Sequence, residues 1–494
     1  MTINQSEFQG NSKRIAQRVQ EYFRTHLDFV VISITIAIAL ILGLSASAIH
    51  PLVAVSISII PALLIGFNFY TQNLHLSPII LLITGGVVPL YLSTGTASVV
   101  VDSLLLVVMI SGLWILRSIV LEKRIQIKKK PYNLPLFAYM TIVAISLVWG
   151  TMFRDPTVIT WSSFFKVQLA ATTVMIMLPV TFLISANLIR EKWILKVMAI
   201  IMILMGCYGY LYEVRFTHRM IWTFFDRTGL TVSNEGLFTM WVIVICVAWV
   251  LFDRSLKPYI MLGLLAIAGI WIRYRFLINI SWVTGWLPAL AALGVLIWMR
   301  SKKLFLLLVL AVVVVGVFKI DYVKEAFAQE QAESGFTRLD AWAASLNLTK
   351  DHFMFGTGPG GYAAYYMTYF PDQAMATHNN YLDILAQTGI FGLVSFVGFF
   401  AVVAMEGYKL CGRLKGKGDF LEALSNAVFA GTIGCIIAMG LGDWMVPFPY
   451  TQGIAAFDYI QYSWIFLGTI FAIKWIVDQD VSLSVNQKAG LKAQ

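Results

Sequence analysis

The sequence predicts an all-α polytopic membrane protein, with about fourteen transmembrane helices and one large helical loop outside the membrane. Three observations predict it. Of 494 residues, 59% are apolar and only 13% are charged, where a soluble domain is about half apolar and about a quarter charged. Mean hydropathy is +0.77. Apolar runs of about the length that crosses a bilayer recur along most of the chain. Together these exclude a soluble enzyme, a disordered chain and a fibrous repeat.

The elements follow in order. Residues 1–28 are polar and carry Lys13, Arg14, Arg18 and Arg24, a cytoplasmic N-terminal segment. The first apolar run is too long and too late for a cleavable signal. Residues 29–318 hold eleven runs, at 29–49, 52–70, 78–95, 97–116, 134–151, 163–188, 193–212, 237–252, 259–272, 282–299 and 303–318. Residues 319–388 leave the apolar pattern. Residues 389–477 hold three more runs, at 389–408, 422–442 and 459–477, and 478–494 form a cytoplasmic tail. Lys and Arg in short loops mark the cytoplasmic side. With the N-terminus inside, alternate loops collect most of the 36 Lys and Arg: Arg117 to Lys130, Arg190 to Lys196, Arg254 and Lys257, Arg300 to Lys303, Lys409 to Lys417, then Lys474 onward. The basic balance therefore reports topology, and no nucleic acid is expected as partner. The 15 Trp, 20 Tyr and 33 Phe suit the aromatic belts of a bilayer. Cys207, Cys246, Cys411 and Cys435 show no metal-ligand spacing and read as free thiols.

Several arginines fall on the disfavoured outer side: Arg154, Arg215, Arg219, Arg227, Arg273, Arg275 and Arg338. A guanidinium is a permanent charge with a planar fork of donors that suits phosphate oxygens. Singly, each arginine either pairs with an outer acid such as Glu213, Asp226 or Glu235, or sits in a solvated loop. As a set they point to an outward-facing anion site. No Asp-x-Asp pair of metal-nucleotide spacing is expected to face outward; Asp155, Asp321, Asp372 and Asp443 stand singly. Asp102 is the one acid expected in mid-span.

The outer loop has its own helices. Ser334 to Thr337 can cap a helix over Arg338 to His352, whose apolar stripe Leu339, Trp342, Ala343 and Leu346 is expected to face the protein. Gly356-Thr357-Gly358-Pro359-Gly360-Gly361 breaks it, and a second helix runs from Tyr362 to Tyr369. The glycine run either offers backbone N–H groups of Gly358 and Gly360 to a phosphate or is a turn that folds two helices together. His378 stands before the next membrane helix and is either a proton acceptor near neutral pH or a structural cap. Asn379, Asn380 and Asp383 either orient its imidazole or cap the helix. Arg338 at a helix start, where the dipole disfavours a cation, suggests a bound anion.

This arrangement resembles the O-antigen ligase and O-antigen polymerase superfamily of bacterial envelope glycosyltransferases. The block that carries it is Arg338 and Trp342, then Phe355 to Tyr362, then His378-Asn379-Asn380-Tyr381-Leu382, then Gly389-Ile390-Phe391-Gly392. Arg227-Thr228-Gly229 to Asn234-Glu235-Gly236 is a looser match, with Ser233 where the family has Pro. Arg273 or Arg275 would answer to the family's arginine at the outer start of a membrane helix. The resemblance implies transfer of a glycan from undecaprenyl pyrophosphate to an acceptor sugar hydroxyl, outside the bacterial inner membrane. It implies His378 as base and Arg338 as a catalytic cation, with Arg273 or Arg275 beside it on the pyrophosphate. Arg215, Arg219 and Arg227 of the outer set, Asn379, and the amides of Gly358 and Gly360 are the further candidate substrate contacts, and no cofactor or metal is expected. Its partners would be the lipid-linked glycan donor, a glycan or lipid-linked acceptor, the bilayer and other polysaccharide assembly proteins. A polymerase of O-antigen or exopolysaccharide is preferred. The alternatives are a ligase to lipid A core and, in another class, a polysaccharide transporter or flippase.

Overall fold

The computed structural model describes residues 73–492, apart from 88–90, 94–98, 121–129, 216–218, 229–234, 279–282, 319, 322–323, 325–335 and 370–376. The apolar runs at 29–49 and 52–70 therefore lie outside the described residues.

The remaining runs are helices, in the order α1 Ser77–Val87, α2 Asp102–Val120, α3 Asn133–Met152, α4 Phe164–Leu188, α5 Lys192–Glu213, a short α6 Arg219–Thr228, α7 Phe238–Phe252, α8 Pro258–Arg273, α9 Val283–Arg300 and α10 Lys302–Phe318. The stretch 319–388 contributes α11 Phe336–Asp351 and α12 Tyr362–Tyr369, and α13 Asn380–Leu414, α14 Phe420–Met439 and α15 Phe457–Lys492 follow. Eight described helices are long and apolar enough to cross a membrane, and Leu74–Gly86, Phe238–Phe252 and Gly285–Arg300 are shorter apolar helices. The chain is a multi-pass membrane protein.

Departures from expectation have local causes. The run at 78–95 is not one helix, because α1 ends at Val87 and Tyr91–Ser93 (β1) pairs antiparallel with Val99–Val101 (β2). The stretch is rich in β-branched valine and holds Gly95, which suit a strand pair better than a helix interior. Asp102 is not in mid-span; it occupies the first turn of α2, where a carboxylate complements the helix dipole. In α11 the stripe expected to face the protein is exposed at Leu339 and Leu346. The buried face is Ala341, Ser345 and Thr349. Small residues let α11 lie close on the start of α13, where Ser345 Oγ donates to Leu382 O at 3.4 Å.

Helix α14 and the apolar part of α15, up to Asp480, are mostly buried, while α2, α3 and α8 have little of theirs buried. Helices α2, α3, α8 and α14 are apolar on every side, as expected when the surroundings are lipid. Buried indoles find acceptors, as they must in a dry core: Trp241 Nε1 donates to Ser463 Oγ at 2.9 Å, Trp271 Nε1 to Gly206 O at 3.0 Å and Trp464 Nε1 to Met445 O at 2.9 Å.

The bundle has two chemically distinct ends. At one, Lys192 pairs with Asp419 at 3.4 Å, Arg413 with Asp478 at 2.6 Å, and Lys409 and Lys474 both pair with Glu406. Arg254 N donates to Gly418 O and the Arg190 guanidinium lies 4.5 Å from the Trp475 ring. These contacts gather loops that the sequence assigns to one side. The loops assigned to the other side meet at the opposite end: Asp155 N donates to Tyr365 Oη at 3.2 Å, Ile159 N to Thr368 Oγ1 at 3.1 Å, and Trp161 packs edge-on against Tyr450.

Candidate active site

The site is built on a break in α13. Gly389 has φ 66° and ψ −170°, so the helix stops and restarts there. A break leaves carbonyls without helical partners. The glycine-rich turn supplies the missing donors: Thr357 N donates to Ala386 O at 2.9 Å and Gly358 N to Gln387 O at 3.0 Å, while Ile390 N donates to Phe353 O at 2.8 Å. Gly360 N donates to the Gln387 side-chain oxygen at 2.6 Å. The amides of Gly358 and Gly360 are thus engaged inside the protein, as caps of a broken helix. A Cβ on Gly389 would lie 2.2 Å from Met354 O; the left-handed backbone and this approach both require glycine.

The first half of α13, residues 380–388, carries the histidine segment on its N-terminus. Asn379 is the N-cap; its side-chain oxygen accepts from Tyr381 N at 3.0 Å and Leu382 N at 3.4 Å. Asn380 is fully buried and ties down the 445–446 loop, accepting from Met445 N at 2.9 Å and donating to Val446 O at 2.7 Å. Asp383 Oδ1 accepts from Tyr362 Oη at 2.8 Å and Thr377 Oγ1 at 2.7 Å. The contacts of these three residues fix the helix start, the 445–446 loop and Thr377. The carboxylate facing the imidazole is Asp443: His378 Nδ1 lies 3.6 Å from Asp443 Oδ2, with the imidazole 35% exposed and the carboxylate fully buried. That separation is an electrostatic contact, longer than a hydrogen bond. It sets Nδ1 toward the acid and leaves Nε2 as the ring's other nitrogen. Asp443 was legible in the sequence only as a lone acid 65 residues downstream.

Burial raises the Tyr362 hydroxyl well above its usual pKa, reinforced by the charges of Asp383 and Asp443. It is a neutral donor at every physiological pH.

The arginines separate. In a helix, residues two apart point to nearly opposite sides. Arg273 ends α8 and is exposed, whereas Arg275, in the π-helical turn Tyr274–Ile278 that continues it, is 4% exposed. Arg275 Nε donates to Thr239 Oγ1 at 3.3 Å, and its guanidinium lies 5.7 and 5.4 Å from the Trp271 and Tyr274 rings. Glu213 and Glu235 are within electrostatic reach of it. A π-turn in an α-helix is often found at a functional site. Arg275 is joined to the His378 side through the start of α7: a Cβ on Gly236 would lie 3.0 Å from Tyr459 and 3.4 Å from Trp444, the residue after Asp443. Arg215 donates to Tyr212 O and lies over the Tyr212 ring at 3.7 Å, and Arg219 is exposed at the start of α6. The side chains of Arg227 and Arg338 lie outside the described residues. By helix register Arg338 stands one turn before Trp342, whose indole donates to Thr377 O at 2.7 Å.

An apolar groove of about 530 Å³ opens on the flank of the bundle between α9, α10 and α14, lined by Leu290, Trp298, Phe305, Val313, Ile433 and Ile437. Its Ile437 end adjoins Ile436, whose carbonyl accepts from Tyr381 Oη at 2.7 Å.

Residues 242–397 match a family model described as O-antigen ligase. The matched stretch holds Arg273, Arg275, Arg338, the glycine turn, His378 and Gly389; Asp443 lies beyond it. The match supports a place for the chain in the O-antigen ligase/polymerase superfamily. No curated protein matches the chain.

Proposed function

We propose that this member of the O-antigen ligase/polymerase superfamily moves a glycan from undecaprenyl pyrophosphate to an acceptor sugar hydroxyl, at the bundle end opposite the Lys- and Arg-rich loops. The observation that carries the reading is the half-exposed His378 facing the buried Asp443, on a segment held by the family's own motif.

His378 takes the proton of the acceptor hydroxyl as its oxygen bonds to the anomeric carbon of the donor sugar. The bond from that carbon to the pyrophosphate oxygen breaks, and its electron pair leaves with the lipid pyrophosphate. Direct attack inverts the anomeric centre. Asp443 offsets the charge that grows on the imidazole. Negative charge grows on the leaving group, and Arg275 and Arg338 stabilise it without a metal. Arg273 and Arg219 are exposed cations on neighbouring elements, and with Arg215 and Arg227 they are the further contacts of the donor. The flank groove between α9, α10 and α14 admits the apolar tail of the donor from the bilayer. Asp102, the acid that a transporter reading would set in mid-span, stands at a helix start.

A deletion strain tests the reading in cells. Single repeat units accumulating on the lipid carrier identify a polymerase; normal-length polymer stranded on the carrier identifies a ligase. Surface polysaccharide of unchanged amount and length, with no other enzyme supplying the step, removes the assignment.

A further inference from the structure

Among the described residues His378 is the one non-glycine with a left-handed backbone, φ 49°. A histidine stays in that conformation only where its surroundings over-determine it. The residue before it is gripped at every polar atom. Thr377 O accepts from Trp342 Nε1 at 2.7 Å. Thr377 N donates to Tyr362 Oη at 3.1 Å and Asp383 Oδ1 at 3.3 Å, and Thr377 Oγ1 donates to Asp383 Oδ1 at 2.7 Å. The three grips come from three different helices, α11, α12 and α13. Resting on the reading of His378 as the base, we infer that Trp342, Tyr362 and Asp383 are positioning residues, a clamp that holds the imidazole in its reacting place before substrate arrives.

Fold alone does not call for this arrangement. Tyr362 and Asp383 are 2% exposed, and Thr377 is fully buried. A buried carboxylate is a costly way to pin a loop, and apolar packing does so as well or better. The bonds also converge on one residue, Thr377, whose carbonyl belongs to the peptide that leads into His378. The Tyr362 ring is separately anchored, stacked on Phe448 at 4.8 Å and 29°, so its hydroxyl can be removed without unseating the ring.

The test uses the full chain in vesicles with a lipid pyrophosphate-linked glycan as donor. Tyr362→Phe removes a partner of the Thr377 N–H and Trp342→Phe a partner of its carbonyl, so one remains informative if the other folds poorly; His378→Ala is the reference. Turnover per folded molecule is expected to fall on the order of tenfold in each Phe variant, with KM for the donor within about twofold of wild type and the pH profile unchanged in shape. If His378→Ala is inactive while both Phe variants keep wild-type kcat, or lose activity only through KM or the amount of folded protein, the clamp is overturned and the base assignment stands. Full activity in His378→Ala would overturn both.

Discussion

The two ends of the bundle handle charge in opposite ways. At the Lys- and Arg-rich end the cations are exposed or half-exposed and meet carboxylates directly, as Arg413 does Asp478 and Lys192 does Asp419. Pairs of that kind contribute little to stability; their placement fixes topology. At the other end Arg219 and Arg273 are exposed, but several charges are withdrawn from water. Asp443 and Asp383 are buried, Arg275 lies between aromatic rings, and a histidine faces one of the carboxylates. Burying charge is costly unless something is gained from it, and on the proposed reading the gain is a site for an anion and a proton.

If that contrast is right, mutations at the two ends separate. The largest effect falls on the scaffold that links them. Gly389→Ala places a side chain on a left-handed backbone and against Met354 O; a loss on the order of 3 kcal/mol is expected, read as a collapse in folded, monodisperse protein. Arg275→Ala comes next. Transfer should fall on the order of a hundredfold, whereas Arg413→Ala at the opposite end should leave it unchanged and cost less than about 1 kcal/mol. Equal losses in the two variants would erase the contrast. Asp443→Asn keeps the shape of the side chain and removes the charge facing His378. A fall of about tenfold in kcat, with donor KM little changed, is expected.

The smallest effect is a pH dependence beside the site. Burial holds the His352 imidazole below its usual pKa, against the opposing pull of Asp155 and Asp351. The folded chain therefore binds a proton there less readily than the unfolded chain. The stability of the neutral ring is complete above about pH 6.5, the unfolded value, and declines as pH falls below it. In His352→Gln the drop in melting midpoint between about pH 7.5 and 5.5 should be smaller than in wild type by about 2 °C or less. An equal drop in both proteins would assign the acid sensitivity elsewhere.

The helices were legible because lipid demands long apolar runs; expected and observed limits of α3, α4, α5, α7 and α8 differ by a residue or two. Positive loops were legible because insertion leaves its mark on Lys and Arg. Within the site, local features could be read: the glycine turn, the aromatic helix Tyr362–Tyr369 and His378 before a helix. What could not be read was long-range or depended on helix rotation. Asp443 meets His378 only through the fold. Ala341, Ser345 and Thr349 take the buried face of α11 because close approach to α13 favours small side chains over the larger apolar ones. The break at Gly389 and the turn at Gly356 to Gly361 look unrelated in sequence, yet one caps the other. Arg273 and Arg275 were indistinguishable until burial separated them.

The most direct measurement is single-turnover transfer by purified His378→Ala in vesicles, followed as release of undecaprenyl pyrophosphate from a lipid-linked glycan. With the base removed, the rate should fall by about 10² to 10⁴ while the variant retains wild-type melting behaviour and donor binding. Release at the wild-type rate from that variant would contradict the account.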